Sequence, residues 1–159
     1  MSPRAETLSK ADFEALAEFR YALRKFLGFS EAAAMERGVT PQKYQALLAI
    51  EGYPGRNWVT IGELAEQMRI THQSAVGLVD RMEEMRLVKR IIPKEDRRRV
   101  QVSLTAKGLK LLGKLYVVHC EELRSSGPQL TALLQKAAAR IPAKIQMASS
   151  PCSMPEIED

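Results

Sequence analysis

The sequence predicts a mainly α fold, a winged helix-turn-helix with a small β-hairpin wing and N- and C-terminal dimerisation helices, and three observations predict it. Two short amphipathic helices, each opened by a threonine, begin at Thr60 and Thr71 with only a brief turn between them. Two β-branched segments with alternating polarity follow, joined by a charged loop that includes Arg97, Arg98 and Arg99. Long apolar stripes at helical spacing flank this unit on both sides.

Taken in order, Ser9 and Asp12 resemble a capping box, and Leu16, Phe19, Leu23 and Phe26 recur at steps of three and four, so a first helix is expected from about Ser9 to Phe29. Tyr21, Leu27 and Phe29 fall off that stripe, and a helix apolar on more than one side suits a partner chain as well as its own lobe. A short helical piece from Glu31 to Arg37 ends at Gly38. Thr40 then caps a helix with Pro41 at its first position, and that helix runs to about Glu51. Gly52, Pro54 and Gly55 make a turn before a very short strand at Trp58 and Val59.

Thr60 and Glu63 form a capping box for the supporting helix, whose Ile61, Leu64, Ala65 and Met68 face a core. Thr71 caps the next helix, where Ala75, Leu78, Val79 and Met82 line the inner face as far as about Arg86. Leu87 to Ile92 reads as a strand and Pro93 to Arg99 as a charged turn. Val100, Val102 and Leu104 then alternate with Gln101 and Ser103, giving a hairpin with one buried face.

After Gly108, Leu109, Leu112, Tyr116, His119 and Leu123 mark a long helix, and Leu130, Leu133, Leu134, Ala137 and Ile141 mark a last one. These stripes fit either a C2 dimer, which would present two recognition helices to a pseudo-palindrome, or the completion of a monomer's core. The expected organisation is a tail over 1–8, one domain over 9–147 and a mobile C-terminal tail over 148–159. Within the domain the DNA-binding lobe covers about 40–104, and the dimerisation helices cover about 9–37 and 105–147.

A chain of 159 residues suits a single domain with a real core. The segment from Arg86 to Arg99 carries seven basic residues against two acids, a surplus equal to the +5 of the whole chain. Such a concentration fits a polyanion site as well as a solvated face. The N-terminus lacks the apolar stretch of a signal peptide, and no run approaches the roughly 18 apolar residues of a membrane span, so a cytoplasmic protein is expected. Cys120 and Cys152 have neither the number nor the spacing of a disulfide framework or a zinc site, so no metal or cofactor is expected. Two histidines and two cysteines do not assemble a nucleophile, base and orienter, which argues against an enzyme.

The second helix of the pair opens with His72, Gln73 and Ser74 on its polar face. A recognition helix meets base edges with its first turns, and its amides and dipole favour nearby phosphate. Gln bonds adenine through both ends of its amide, Ser serves several bases, and neutral His donates from one nitrogen and accepts at the other. Arg97, Arg98 and Arg99 on a narrow ribbon suit the minor groove or phosphate, whereas Asp96 would be repelled by phosphate and so suits holding a neighbouring arginine in position.

On these residues the chain resembles the MarR family of bacterial and archaeal regulators. The resemblance rests on Thr60-Ile-Gly-Glu-Leu-Ala-Glu, on Ser74-Ala-Val-Gly-Leu-Val-Asp-Arg, and on Asp96-Arg-Arg-Arg-Val-Gln-Val-Ser-Leu-Thr-Ala-Lys-Gly108, with flanking helices that match over nearly all of 9–147. It implies a homodimer whose terminal helices interlock, bound to double-stranded DNA at a pseudo-palindromic site. It assigns Arg98 to the minor groove, Arg97 to the backbone beside it, and Asp96 to the place of the family's wing aspartate. Recognition-helix contacts map to His72, Gln73, Ser74 and Gly77, and Thr71 at the cap is counted with the DNA-binding residues. Several members carry a longer residue where Gly77 stands, which shifts the burden to Gln73 and Ser74.

The resemblance further implies a repressor released by a small aromatic or phenolic acid, with Tyr21, Arg24, Phe29, Tyr44 and His119 as candidate ligand-binding residues because a carboxylate needs a cation or donor and a ring needs apolar walls. Two other readings stand beside it: a thiol-based redox regulator acting through Cys120 or Cys152, and a winged-helix module that binds protein.

Overall fold

The computed structural model describes residues 8–94 and 99–140. They run α1 (Lys10–Glu36), α2 (Pro41–Glu51), β1 (Trp58–Thr60), α3 (Ile61–Met68), α4 (His72–Glu84), β2 (Val88–Ile91), β3 (Gln101–Leu104) and α5 (Ala106–Ala138). By their contacts they form two compact units, one from residues 27–123 and one pairing the chain up to Phe26 with the chain from Arg124.

The unit from Leu27 to Leu123 holds the winged helix-turn-helix. Each short helix starts where a threonine stops the backbone N–H groups from going unpaired. Thr40 caps α2, Thr60 and Glu63 cap α3 reciprocally, and Thr71 caps α4. Beneath them lies a core of Leu47, Ile50, Val59, Leu64, Leu78, Val79, Met82, Leu87, Val88, Val102 and Leu115, all fully buried. The sheet is antiparallel in the order β1-β3-β2, with Val59 opposite Val102 and Val88 opposite Leu104. Central β3 thus takes the short strand before α3 on one edge and the wing's first strand on the other.

The start of α5 is fastened to the turn that follows α4. The Thr105 hydroxyl donates to the Arg86 carbonyl at 2.6 Å and accepts the Gly108 N–H at 3.1 Å, while Lys107 Nζ donates to the Met85 carbonyl at 2.9 Å. In the other unit, Lys136 pairs with Glu18 at 2.7 Å and Arg140 with Asp12 at 3.2 Å, and Ala15 is fully buried.

Three expectations need correction. The first helix does not stop at Phe29 with a separate piece beyond it, because α1 continues to Glu36. A single mid-helix glycine such as Gly28 costs only about 1 kcal/mol, and the good helix formers of 31–36, with Ala33 and Ala34 in the core, carry the helix on. The two C-terminal helices are likewise one, α5, with Pro128 inside it. Arg124 and Pro128 are both exposed, so the carbonyl that proline leaves without its usual donor can be hydrated. The stripe drawn through α5 also divides: Leu112, Leu115 and His119 are buried, whereas Leu109, Tyr116 and Leu123 are exposed. Ile141 of the last stripe, residues 1–7 and the C-terminal tail lie outside the described residues.

Candidate nucleic-acid interface

The first turn of α4 is polar because its inner face is already spent on Ala75, Leu78, Val79 and Met82. Thr71 sits at the cap in extended conformation, with its side chain accepting the Ser74 N–H at 3.1 Å and its oxygen 2.9 Å from the Ser74 hydroxyl. Those two hydroxyls therefore organise the helix end. His72 and Gln73 are exposed, and among the described residues no hydrogen bond or ion pair engages their side chains.

A groove of about 460 Å³ runs past this end, lined by Thr60, Ile61, Gly62, His72, Arg99 and Val100. It brings the start of α3, the start of α4 and the wing's returning segment to one surface. Arg99 is exposed there, and the amides at a helix start add positive potential. The arrangement suits an anionic, extended ligand. Asp96, Arg97 and Arg98 lie outside the described residues.

Two arginines outside the candidate set hold this surface in shape. Arg90 of β2 reaches Asp80 at 2.6 Å and Glu83 at 2.5 Å, and its backbone N–H also donates to Glu83 at 3.1 Å. Partial burial works against its charge, but the bonds it donates to Asp80 and Glu83 outweigh burial and raise its pKa. One guanidinium thus ties β2 to α4 and neutralises two carboxylates of that helix. Arg56 pairs with Glu63 and stacks on Trp58 at 3.9 Å and Tyr53 at 4.4 Å. Burial would push the Glu63 carboxyl up, yet the Thr60 N–H and Arg56 together bring it below the ordinary value.

Arg90 is one of the seven basic residues between Arg86 and Arg99, yet its guanidinium is spent on Asp80 and Glu83 within the fold. Its inward position was readable in the alternation of its strand, since it shares the face of buried Val88. Arg56 carried no comparable signal, because a stacked guanidinium depends on where the turn after α2 places Tyr53 and Trp58.

Of the candidate ligand residues, Phe29, Tyr44 and His119 come together. The His119 ring is buried, stacked on Tyr44 at 4.7 Å and edge-on to Phe29 at 6.2 Å. Its Nδ1–H donates to the Leu115 carbonyl at 2.6 Å, and in the neutral ring Nε2 accepts from the Ser30 hydroxyl at 2.6 Å. Burial, and to a lesser degree Cys120, raises the Tyr44 phenol above its ordinary pKa of 10.0. Tyr21 and Arg24 belong to the other unit, where both are exposed and Lys25 Nζ stands 5.9 Å from the Tyr21 ring. Among the described residues no group of three or more His, Cys, Asp or Glu is placed to hold a metal ion, and no described helix is long and apolar enough to cross a membrane.

Residues 37–99 match the model of the MarR family. No curated protein sequence matches the chain. Among solved structures it is similar to AbsC, a MarR family transcriptional regulator from Streptomyces coelicolor, at 21% identity and a TM-score of 0.69 over 92% of this chain and 100% of that one. It is similar to MepR, a transcription regulator of the Staphylococcus aureus multidrug efflux pump MepA, at 18% identity and a TM-score of 0.65 over 76% of this chain and 93% of that one. A MepR mutant from S. aureus bound to an oligodeoxyribonucleotide aligns at 18% identity with a TM-score of 0.61, over 77% of this chain and 94% of that one. At these identities the likeness establishes the fold.

Proposed function

We propose that this chain, whose residues 37–99 belong to the MarR family and whose fold is that of MarR winged helices, is a sequence-specific DNA-binding transcriptional regulator that acts as a homodimeric repressor. The observation that carries the reading is the joined surface of α4 and the wing, where exposed His72 and Arg99 line one groove and exposed Gln73 follows His72 in the first turn of α4. DNA needs that combination: a helix end to read base edges in the major groove, and cations on a narrow ribbon for phosphate or the minor groove. The DNA-bound MepR mutant of the same fold supports it.

In this reading Gln73 and Ser74 supply base contacts, Thr71 keeps their helix end in order, and Arg97, Arg98 and Arg99 hold the wing on the duplex with Asp96 positioning one of them. The test is substitution in the full chain. Arg98→Ala should weaken binding on every sequence and flatten its salt dependence, whereas Gln73→Ala should relax preference at particular bases. Equal losses on all sequences from both variants would contradict the division of roles. Repression relieved by a small aromatic acid is supported by the Phe29, Tyr44 and His119 rings, and requires that the acid favour the conformation that does not bind DNA.

A further inference from the structure

Gly77 lies on α4 four residues after Gln73 and four before Arg81, so the three share one ridge of the helix. A Cβ added at Gly77 would stand 3.3 Å from Nη1 of Arg81. That distance locates the guanidinium: it folds back along the helix toward the N-terminus and lies over Gly77. Long side chains lean that way because the Cα–Cβ bond of a helical residue tilts toward the helix start. A glycine at 77 leaves the path clear.

Arg81 is exposed, and among the described residues its side chain holds no hydrogen bond and no ion pair. The carboxylate beside it in sequence, Asp80, is taken by Arg90. A cation on the outer face of a recognition helix that is neither paired nor buried is available to a ligand, and its fork geometry matches one base. Guanine presents O6 and N7 together in the major groove, and a guanidinium bonds both at once.

We propose that Arg81 is a specificity-determining residue of α4, reading a guanine from above Gly77 next to the bases met by Gln73. The proposal rests on the DNA-binding reading of the winged unit. It adds to the residues of the helix's first turns a reader from farther along α4, because the Arg81 guanidinium folds back to the level of Gly77.

The experiment is selection from a randomised duplex pool with the full-length protein, Arg81→Ala, Arg81→Lys and Gly77→Gln, each checked for an unchanged thermal midpoint. The wild-type pool should hold a guanine at one position of each half-site. Arg81→Ala should lower that preference by roughly 5- to 100-fold and leave the other positions as they were. Arg81→Lys, which keeps the charge without the planar fork, should give an intermediate preference. Gly77→Gln, which places a side chain in the guanidinium's path, should alter the same position. Arg81→Ala binding that is weaker on every sequence alike, with the guanine retained, would reduce Arg81 to a phosphate contact and overturn the proposal. A wild-type pool that enriches no site would overturn the DNA-binding reading and this one with it. A wild-type site that Arg81→Ala reproduces unchanged would overturn the assignment of Arg81 alone.

Discussion

Gly108 shows what a single residue decides. A Cβ there would collide with the carbonyl oxygen of Leu87 and stand 3.0 Å from the carbonyl carbon, and both are backbone atoms with no freedom to turn aside. Gly108→Ala should therefore destabilise the protein by about 1–3 kcal/mol, as overpacking does, while Gly113→Ala on the same helix, with nothing within 4 Å, should not. Urea denaturation of the two variants compares them directly. The sequence motif that ends in Gly108 thus has a packing reason at its end, where Thr105, Lys107 and Gly108 bolt α5 to the turn after α4. Residues of this kind are legible as a pattern, but their partner is not, because Leu87 is 21 positions away and only the turn brings it close. Arg90 teaches the converse. Its strand alternation points inward, which a count of charges over 86–99 does not register.

At the scale of elements, the starts of the short helices were readable and so was the end of α2 at Glu51, but the ends of the long helices were not. Thr40, Thr60 and Thr71 announce α2, α3 and α4, because the capping hydroxyl must be local in sequence. The turns after α3 and α4 are closed by Arg69 at φ 52° and Arg86 at φ 58°, left-handed positions where a glycine would have been the expected signal. The continuity of α1 through Gly28 and of α5 through Pro128 escaped local reading for a similar reason, since neighbouring residues outweighed one breaker.

The capping box of α3 also makes a pH prediction. Glu63 is held below its ordinary 4.5 by the Thr60 N–H and Arg56 against the opposing effect of burial. Its contribution to stability is complete above that ordinary value and is lost as pH falls through 4.5 toward the lower folded value. Denaturation midpoints of the wild type should drop below about pH 4.5, and Glu63→Gln should start lower at neutral pH and show a shallower drop. An identical acid profile in the two proteins would show that the cap contributes nothing to it.

For the molecule as a whole, apolar exposure is the feature that an isolated chain leaves unexplained. On α1, Phe13, Leu16 and Tyr21 are half or more exposed, and on α5 so are Leu109, Tyr116 and Val117. Single exposed apolar residues are ordinary, but this many on each of two long helices supports the proposed pairing with a second copy. The broad apolar character of the first helix was visible in the sequence, and pairing was one of two readings it allowed. The proposed dimer is supported by that exposure and would set two α4 helices on two half-sites.

The measurement that bears most directly on the proposed regulator is a binding isotherm of the full-length protein on DNA from upstream of its own gene against scrambled DNA, at two salt concentrations. Tight binding that prefers the upstream DNA, saturates at two chains per site and keeps its preference as salt rises is the expected result. Weak binding, equal on both DNAs and abolished by modest salt, would contradict a sequence-specific regulator and leave the basic wing with only a general attraction to polyanions.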